Sequence, residues 1–275
     1  MEGNDIAFSF GGKGANQAIA AARLGASTTM IGAVGTDVFG DNLVENLKEN
    51  NVDTSKVIKV DIASGTALIQ LIEKDNSIIY IPGANAKFAV ENLKEYEEFI
   101  LQAKIVILQN ELTIQVVEAV IDLCYRRNIA VLYNPAPAKH IDKSYLDKVS
   151  YLTPNETEFS VLFPNQTLED VLKKYPNKVI VTLGSKGAIF HDGASIQEIP
   201  AIFTENVVDT TGAGDCFNGA FAAGIINNLD IENAIKFANI ASSISIQHFG
   251  AQSGYPTINQ IKEHPQYEEA WNFKQ

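Results

Sequence analysis

The chain has 275 residues, of which 46% are hydrophobic and 20% charged, which suits one large α/β domain spanning residues 1–275. The net charge of −12 argues against non-specific binding to nucleic acid or to a membrane surface. The two cysteines, Cys124 and Cys216, lie far apart, no apolar run reaches the length of a membrane span, and the acidic N-terminus shows no signal peptide. We therefore expect a cytoplasmic protein without disulfide bonds.

Apolar patterning predicts strands that alternate with helices along most of the chain. The predicted strands are 28–34, 105–108, 130–133, 151–152 and 178–183, and the predicted helices are 15–24, 41–50, 91–102, 113–127, 168–174, 215–227, 231–248 and 258–262. This alternation favours a doubly wound, mostly parallel sheet flanked by helices. A strand near 5–10 and a hairpin within 65–82 fall outside the pattern and predict a small β-sheet lid.

The segment Asp209-Thr210-Thr211-Gly212-Ala213-Gly214-Asp215 precedes an apolar helical run. Glycines at the start of a helix let a ligand approach the backbone, and the unpaired N–H groups and the helix dipole favour a phosphate there. A carboxylate would repel that phosphate unless it is a general base that takes a proton from a hydroxyl. The dipole alone also favours an acid at a helix start, but the paired glycines and Asp209 favour catalysis. The segment predicts the catalytic corner of a phosphotransferase.

Three further segments are compatible with ligand binding or with a purely structural role. In segment 11–17, Lys13 and Asn16 offer donors to sugar hydroxyls, or the glycines form a tight turn; the glycine spacing matches neither the phosphate loop of nucleotide hydrolases nor the dinucleotide fingerprint. Asn155 and Glu158 are candidates to organise Mg²⁺ and phosphate, although helix capping alone explains them better. Segment 182–187 follows a strand and either binds a nucleotide or is a plain turn.

Taken together, these segments resemble the ribokinase-like carbohydrate kinase family. Residues 11–18 are similar to its N-terminal signature and residues 209–215 to its C-terminal signature. Further similarity lies at 134–137, 153–158 and 250–252, so that five motifs occur in the right order. The resemblance implies ATP-dependent phosphorylation of the primary hydroxyl of ribose.

The resemblance also implies roles for the matching residues. Asp215 would be the base, and the transferring phosphoryl group would be held by the amides of Gly212, Ala213 and Gly214. The sugar would be bound, besides Asp215, by Gly12, Lys13, Asn16 and Glu111. Mg²⁺ and phosphate would be organised by Asn155 and, indirectly, Glu158, and the nucleotide would lie at Thr182, Gly184 and Asn239. A K⁺ ion would be bound by Asp209, Thr211, Ser245, His248, Gly250 and Gly254, the last of which replaces a serine of the family.

The chain departs from the family at its start. Family members have a first strand before the glycine signature, which ends in an aspartate that binds the sugar, and then a first lid strand. This chain starts after both, so we expect an opening in the sheet and weaker orientation of the sugar, and nothing assigns the aspartate's role to Asp5.

Three functions stay open at this point. The first is a ribose kinase. The second is a kinase of deoxyribose, fructose, a ketodeoxy acid or a nucleoside. The third is an inactive relative that binds nucleotide. Family members commonly dimerise through the lid, so the resemblance also implies a homodimer.

Overall fold

The computed structural model describes residues 7–72 and 75–273. The helices are α1 (Lys13–Arg23), α2 (Val38–Glu49), α3 (Val90–Ile100), α4 (Ile114–Arg127), α5 (Lys143–Lys148), α6 (Glu156–Leu162), α7 (Leu168–Lys174), α8 (Ala213–Ile226), α9 (Ile231–Ser245) and α10 (Ile258–Lys262). The strands are β1 (Thr28–Gly35), β2 (Val52–Val60), β3 (Thr66–Ile72), β4 (Asp75–Ile81), β5 (Ile105–Leu108), β6 (Ala130–Tyr133), β7 (Tyr151–Leu152), β8 (Ile180–Thr182), β9 (Ala188–His191) and β10 (Ile196–Ile199). Within these ranges, no helix combines the length and the apolar character needed to cross a membrane.

The sheet is mostly parallel and is divided into two parts. Strand β1 pairs with β2 in parallel, and β5, β6 and β7 form a second parallel group. Single parallel bridges, Leu152 with Val179 and Asn155 with Thr182, lead from this group to β8, which continues through the antiparallel strands β9 and β10. In the described ranges no backbone hydrogen bond joins β1 to β5, which agrees with the opening expected in the sheet.

Two apolar cores lie on opposite faces of the sheet. Strand β6 shows the alternation: Leu132 points into a core shared with α1, α8 and α9, whereas Val131 and Tyr133 point into a core shared with α3, α4 and α7. Burial of each large apolar side chain contributes roughly 1.5–3 kcal/mol, and this term holds the helices on the sheet. The predicted doubly wound architecture is confirmed.

Helices α1 and α8 approach each other unusually closely. A Cβ added at Gly219 of α8 would lie 2.6 Å from the Ala20 Cβ and 2.6 Å from the Gln17 carbonyl oxygen of α1. Glycine is therefore required at this crossing, where Ala20 and Ala21 of α1 are among its nearest neighbours. The close crossing brings the N-terminal turns of the two helices together, and both turns carry predicted site residues.

The lid prediction is half right. Strands β3 and β4 form the predicted antiparallel hairpin, in which Thr66 lies opposite Ile81 and Leu68 opposite Ile79. The predicted strand near 5–10 is wrong for residues 7–10, which lie in no strand, and residues 5–6 are outside the described ranges. The alternation of this segment does not reflect a half-buried strand, because Phe8 is 78% exposed. Its ring stacks on that of Phe39, with the two ring centroids 6.2 Å apart. Sequence patterning also missed β2, β9, β10 and α5.

Candidate active site

The candidate base, Asp215, is buried in the first turn of α8 and is held by two amides from α1. Asn16 Nδ2 donates to Asp215 Oδ2 at 2.8 Å, and Gln17 Nε2 donates to Asp215 Oδ1 at 2.9 Å. Burial raises the pKa of this carboxyl above its ordinary value, against the charge of Lys13 and the two amide hydrogen bonds, which lower it. A buried carboxylate with a raised pKa is typical of a general base.

Beside Asp215, the start of α8 presents open backbone donors. Gly212 adopts the left-handed conformation at φ 78°, and its carbonyl accepts from Tyr255 Oη at 2.9 Å. The N–H of Ala213 donates to the Thr210 carbonyl at 3.2 Å, whereas no described residue accepts from the N–H of Gly214 or Asp215. The geometry therefore offers the amides of Gly214 and Asp215 to an anion. Of the other two predicted donors, the N–H of Gly212 also has no acceptor among the described residues, whereas that of Ala213 is already bonded.

Space also remains in front of these donors. A Cβ added at Gly214 would meet no atom within 4 Å, while one added at Gly212 would lie 2.6 Å from Tyr255 Oη. The glycine at 212 is thus required by local packing as well as by its positive φ, and the glycine at 214 keeps the approach to the amides clear. The arrangement fits a phosphoryl group beside the carboxylate.

The predicted sugar ligands lie around the N-terminus of α1. Gly12, at φ 93°, is the N-cap of this helix, and the N–H of Lys13 donates to Glu111 Oε2 at 2.9 Å. Burial raises the pKa of Glu111, opposed by that N–H and by the Lys13 charge. The hydroxyl of Tyr80, in the hairpin, donates to the Glu111 carbonyl at 3.2 Å. Glu111 is therefore joined both to α1 and to the lid.

The predicted magnesium and nucleotide residues lie at the start of α6, at and just after the end of β8, and on α9. The side chains of Asn155, Glu158 and Asn239 are hydrogen-bonded within the protein. The N–H of Glu158 donates to Asn155 Oδ1 at 2.8 Å, and the N–H of Asn155 donates to Glu158 Oε2 at 2.9 Å, which is a reciprocal helix cap. Burial raises the pKa of Glu158. The bridge from Asn155 to Thr182 brings this cap beside Gly184, where an added Cβ would meet no atom within 4 Å. Asn239 Nδ2 donates to the Pro200 carbonyl at 2.9 Å.

The six residues predicted to bind K⁺ form two contacting groups. Asp209 accepts from the N–H of Thr211 and of Gly250, each at 2.9 Å; these bonds outweigh the burial that raises its pKa, so the pKa lies below its usual value. In the second group, a Cβ added at Gly254 would lie 2.2 Å from the Ser245 carbonyl oxygen and 3.2 Å from the His248 Cβ. A serine at 254 has no room here, so only backbone oxygen of this residue is available to a cation.

Other acidic and sulfur groups add no metal centre. In the described parts of the chain, no group of three or more His, Cys, Asp or Glu side chains is arranged to hold a metal ion. Cys124 and Cys216 are both buried free thiols, and burial raises the pKa of Cys216 to about 12. Neither thiol is therefore activated as a nucleophile.

Sequence reasoning missed the second layer of amides behind the base. Gln17, Asn134 and Gln252 lay in segments that resemble the family but had no predicted role, and Gln109 was not considered. Gln252 Nε2 donates to Asn16 Oδ1 at 2.8 Å, and Gln17 contacts both Asn134 and Gln109. The available signal was a glutamine on the otherwise apolar, small-residue face of α1.

Comparison with known proteins gives consistent matches over nearly the whole chain. The pattern of the pfkB family of carbohydrate kinases matches residues 1–258. A ribokinase of Lactococcus lactis is 51% identical over 261 residues, which cover 94% of this chain and 87% of the relative. A deoxyribokinase of Salmonella typhi is 38% identical over 266 residues, which cover 92% of this chain and 87% of the relative. A structure of Arabidopsis thaliana ribokinase with ribose and ATP superposes with a TM-score of 0.84 at 31% identity, covering 98% of this chain and 93% of that one.

Proposed function

This chain belongs to the pfkB family of carbohydrate kinases, and we propose that it transfers the terminal phosphoryl group of ATP to the primary hydroxyl of ribose. The observation that carries the proposal is the buried Asp215 carboxylate, bonded by Asn16 and Gln17 beside the open amides of α8. The 51% identity to a ribokinase and the fold of a ribokinase bound to ribose and ATP support ribose and ATP as the substrates.

The residues divide the chemistry between them. Phosphoryl transfer depends mainly on positioning and on stabilising charge. Asp215 takes the proton of the sugar hydroxyl, and the open N–H groups at Gly214 and Asp215 donate to the phosphoryl oxygens as charge shifts toward the leaving group. Gly12, Lys13, Asn16 and Glu111 orient the sugar, and the loop with Thr182 and Gly184 receives the nucleotide. Lys13 adds positive charge beside Asp215, Glu111 and Glu158, and this charge lowers the pKa of each carboxyl against the effect of burial.

Two cations complete the proposal. Glu158 has one carboxylate oxygen beyond the one used in the helix cap, which suits the water-mediated binding that Mg²⁺ prefers, with Asn155 beside it. The carboxylate of Asp209 and the surrounding backbone carbonyls are oxygen donors that fit K⁺, with Thr211, Ser245, His248, Gly250 and Gly254 as the other positions. The K⁺ ion would supply positive charge next to the open amides.

The lid and the cysteines support the remaining parts of the proposal. Leu68, Ile79 and Ile81 lie on one face of the β3–β4 hairpin and are each 47–49% exposed, which suits a homodimer through this face. The two free, buried thiols suit the reducing conditions of the cytoplasm.

The substrate is tested by measuring ADP release with ATP, Mg²⁺ and K⁺ over a panel of ribose, deoxyribose, fructose and nucleosides. We expect the highest kcat/KM with ribose. Deoxyribose is the second candidate, because a deoxyribokinase is 38% identical to this chain. A preference for deoxyribose would replace the proposed substrate, and nucleotide binding without turnover of any sugar would show a non-catalytic protein.

The base is tested with Asp215→Asn. General-base catalysis contributes about 10²–10⁴-fold, so kcat should fall by at least 10²-fold while calorimetry finds ATP binding within about threefold of the parent. Asp192→Asn, on a distant exposed turn, is the control and should keep full activity. Turnover near the parent value in Asp215→Asn would contradict the assignment.

A further inference from the structure

The side chain of Gln17 is almost fully enclosed and almost fully hydrogen-bonded. It is 1% exposed. Its Nε2 donates to Asp215 Oδ1 at 2.9 Å and to Asn134 Oδ1 at 3.0 Å, and its Oε1 accepts from Gln109 Nε2 at 2.5 Å. Both donor hydrogens are therefore used, and one of them is directed at the candidate base.

The neighbours of Gln17 allow only one orientation of its amide. If the amide were reversed, Oε1 would face the Asp215 carboxylate and Asn134 Oδ1, and Nε2 would face Gln109 Nε2, so three pairs of like groups would meet. Asn134 is itself fixed, because its Nδ2 donates to the Thr153 carbonyl at 3.0 Å. In a buried network, neighbours whose own hydrogen bonds are already made hold a side chain in one orientation. Gln109 and Asn134 thus aim the Gln17 N–H at Asp215.

We propose that Gln17 is a positioning residue of the base, and that Gln109 acts through it. Gln17 fixes Oδ1 of Asp215 and favours the ionised carboxylate, while Asn16 Nδ2 donates to Oδ2 at 2.8 Å. Each oxygen therefore keeps one lone pair for the hydroxyl proton, and the two amides set the direction in which that lone pair points. The proposal rests on the proposed kinase function and deepens it. The hydrogen bond between Gln17 and Gln109 couples helix α1 to the loop after β5, which also carries the proposed sugar ligand Glu111.

Other titratable groups also face Asp215 and must be separated from the effect of Gln17. They are Lys13, Glu111, Glu158, Cys216 and Tyr255. Burial raises the pKa of Cys216 and of Tyr255, which therefore stay neutral at working pH, and burial also raises the pKa of Glu111 and of Glu158, as it does that of Asp215. A substitution at Gln17 keeps all five of these groups. A difference between the pH profile of kcat of such a variant and that of the parent therefore reports on Gln17.

The test is the pH profile of kcat for Gln17→Leu, a change of similar size that removes the N–H. A hydrogen bond to a charged group favours the ionised form, so its loss raises the pKa of Asp215 further. We expect the acid limb of kcat to move up by about one pH unit. At pH values below the pKa of Asp215 in both proteins, kcat of the variant should be about tenfold lower than that of the parent. At pH values well above both, the two profiles should converge. The KM for ribose should change little.

Two further variants separate positioning from loss of structure. Gln109→Leu should move the acid limb in the same direction by a smaller amount, and the double variant should resemble Gln17→Leu alone, because Gln109 acts through Gln17. Gln197→Leu, at a partly exposed position of strand β10, should leave the profile unchanged. If Gln17→Leu does not unfold cooperatively, the shift in Gln109→Leu decides the question.

An acid limb that stays in place would overturn the inference, as would a loss of kcat by the same factor at every pH, since a purely structural role predicts the latter. These outcomes are read with an active parent enzyme. An inactive parent on every sugar would instead reject the proposed function, so the two failures are distinguishable.

Discussion

Two glycines of α8 should respond to alanine in opposite ways. At Gly214 an added Cβ would meet no atom within 4 Å, so Gly214→Ala costs no packing and gains up to about 1 kcal/mol of helix propensity. The methyl group would instead occupy the clear space in front of the open amides. Loss of one donor to a transition-state oxygen costs about 10²–10³ in kcat, which corresponds to roughly 2.7–4 kcal/mol. We therefore expect a stable protein with a kcat reduced to that extent.

At Gly219 the packing argument is reversed. The added Cβ would lie 2.6 Å from Ala20 Cβ and from the Gln17 carbonyl oxygen, well inside ordinary contact, so α1 and α8 must separate. Overpacking of this kind costs about 1–3 kcal/mol, and at roughly 2–4 °C per kcal/mol for a chain of this size Tm should fall by several degrees. Because Gln17 moves with α1, its bond to Asp215 lengthens and kcat falls as well.

The assay pairs thermal unfolding with ADP release for the parent and both variants. Only Gly219→Ala should lower Tm, and Gly214→Ala should lower kcat with Tm unchanged or raised. A Gly214→Ala protein with nearly parental kcat would refute the placement of the phosphoryl group at these amides. A large fall in the Tm of Gly214→Ala would show that the space beside Gly214 does not accept a methyl group.

Two other predictions concern the lid. Tyr80→Phe removes the hydroxyl that donates to the Glu111 carbonyl; a neutral hydrogen bond contributes about 0.5–1.5 kcal/mol, so KM for ribose should rise about three- to tenfold with kcat nearly unchanged, whereas Tyr125→Phe on the surface of α4 should leave both constants unaltered. Equal KM values for the parent and Tyr80→Phe would show that the contact does not assist sugar binding. Ile79→Lys places a charge on the exposed apolar face of the hairpin, and sedimentation should show the parent as a dimer and this variant as a monomer; a monomeric parent would reject the lid interface.

Elements with strong apolar periodicity could be predicted from sequence. Strands β5, β6 and β7 and helix α10 begin and end where patterning placed them, and α4 differs by one residue at its start. The alternation of these buried strands with helices was enough to predict the doubly wound sheet. The start of α8 was also predictable, because Gly212, Gly214 and Asp215 are almost consecutive in the chain and their effect on a helix start is local.

Elements that depend on distant partners could not be predicted. Strand β2 is largely polar over Val52–Val60 and is half-exposed, so its pairing with β1 rather than its own pattern defines it. The segment 7–10 shows the reverse, since its alternation has no partner strand in the described residues. The bond from Gln17 to Asp215 joins residues 198 apart in sequence, and only the α1–α8 crossing at Gly219 brings them together.

The division of the sheet does not disturb Asp215, because helices, rather than the sheet, hold its carboxylate. Its two amide partners come from α1, and α1 is fixed by its contact with α8. Near the opening, Gly14 of α1 lies against both parts of the sheet: a Cβ there would be 3.0 Å from Met30 Cε of β1 and 3.2 Å from Gln109 Oε1 after β5. Helix α1 therefore connects the two parts where no backbone hydrogen bond between β1 and β5 does so in the described residues. Displacement of β5 would reach the base through Gln109 and Gln17, whereas displacement of β1 has no such hydrogen-bonded route in the described residues.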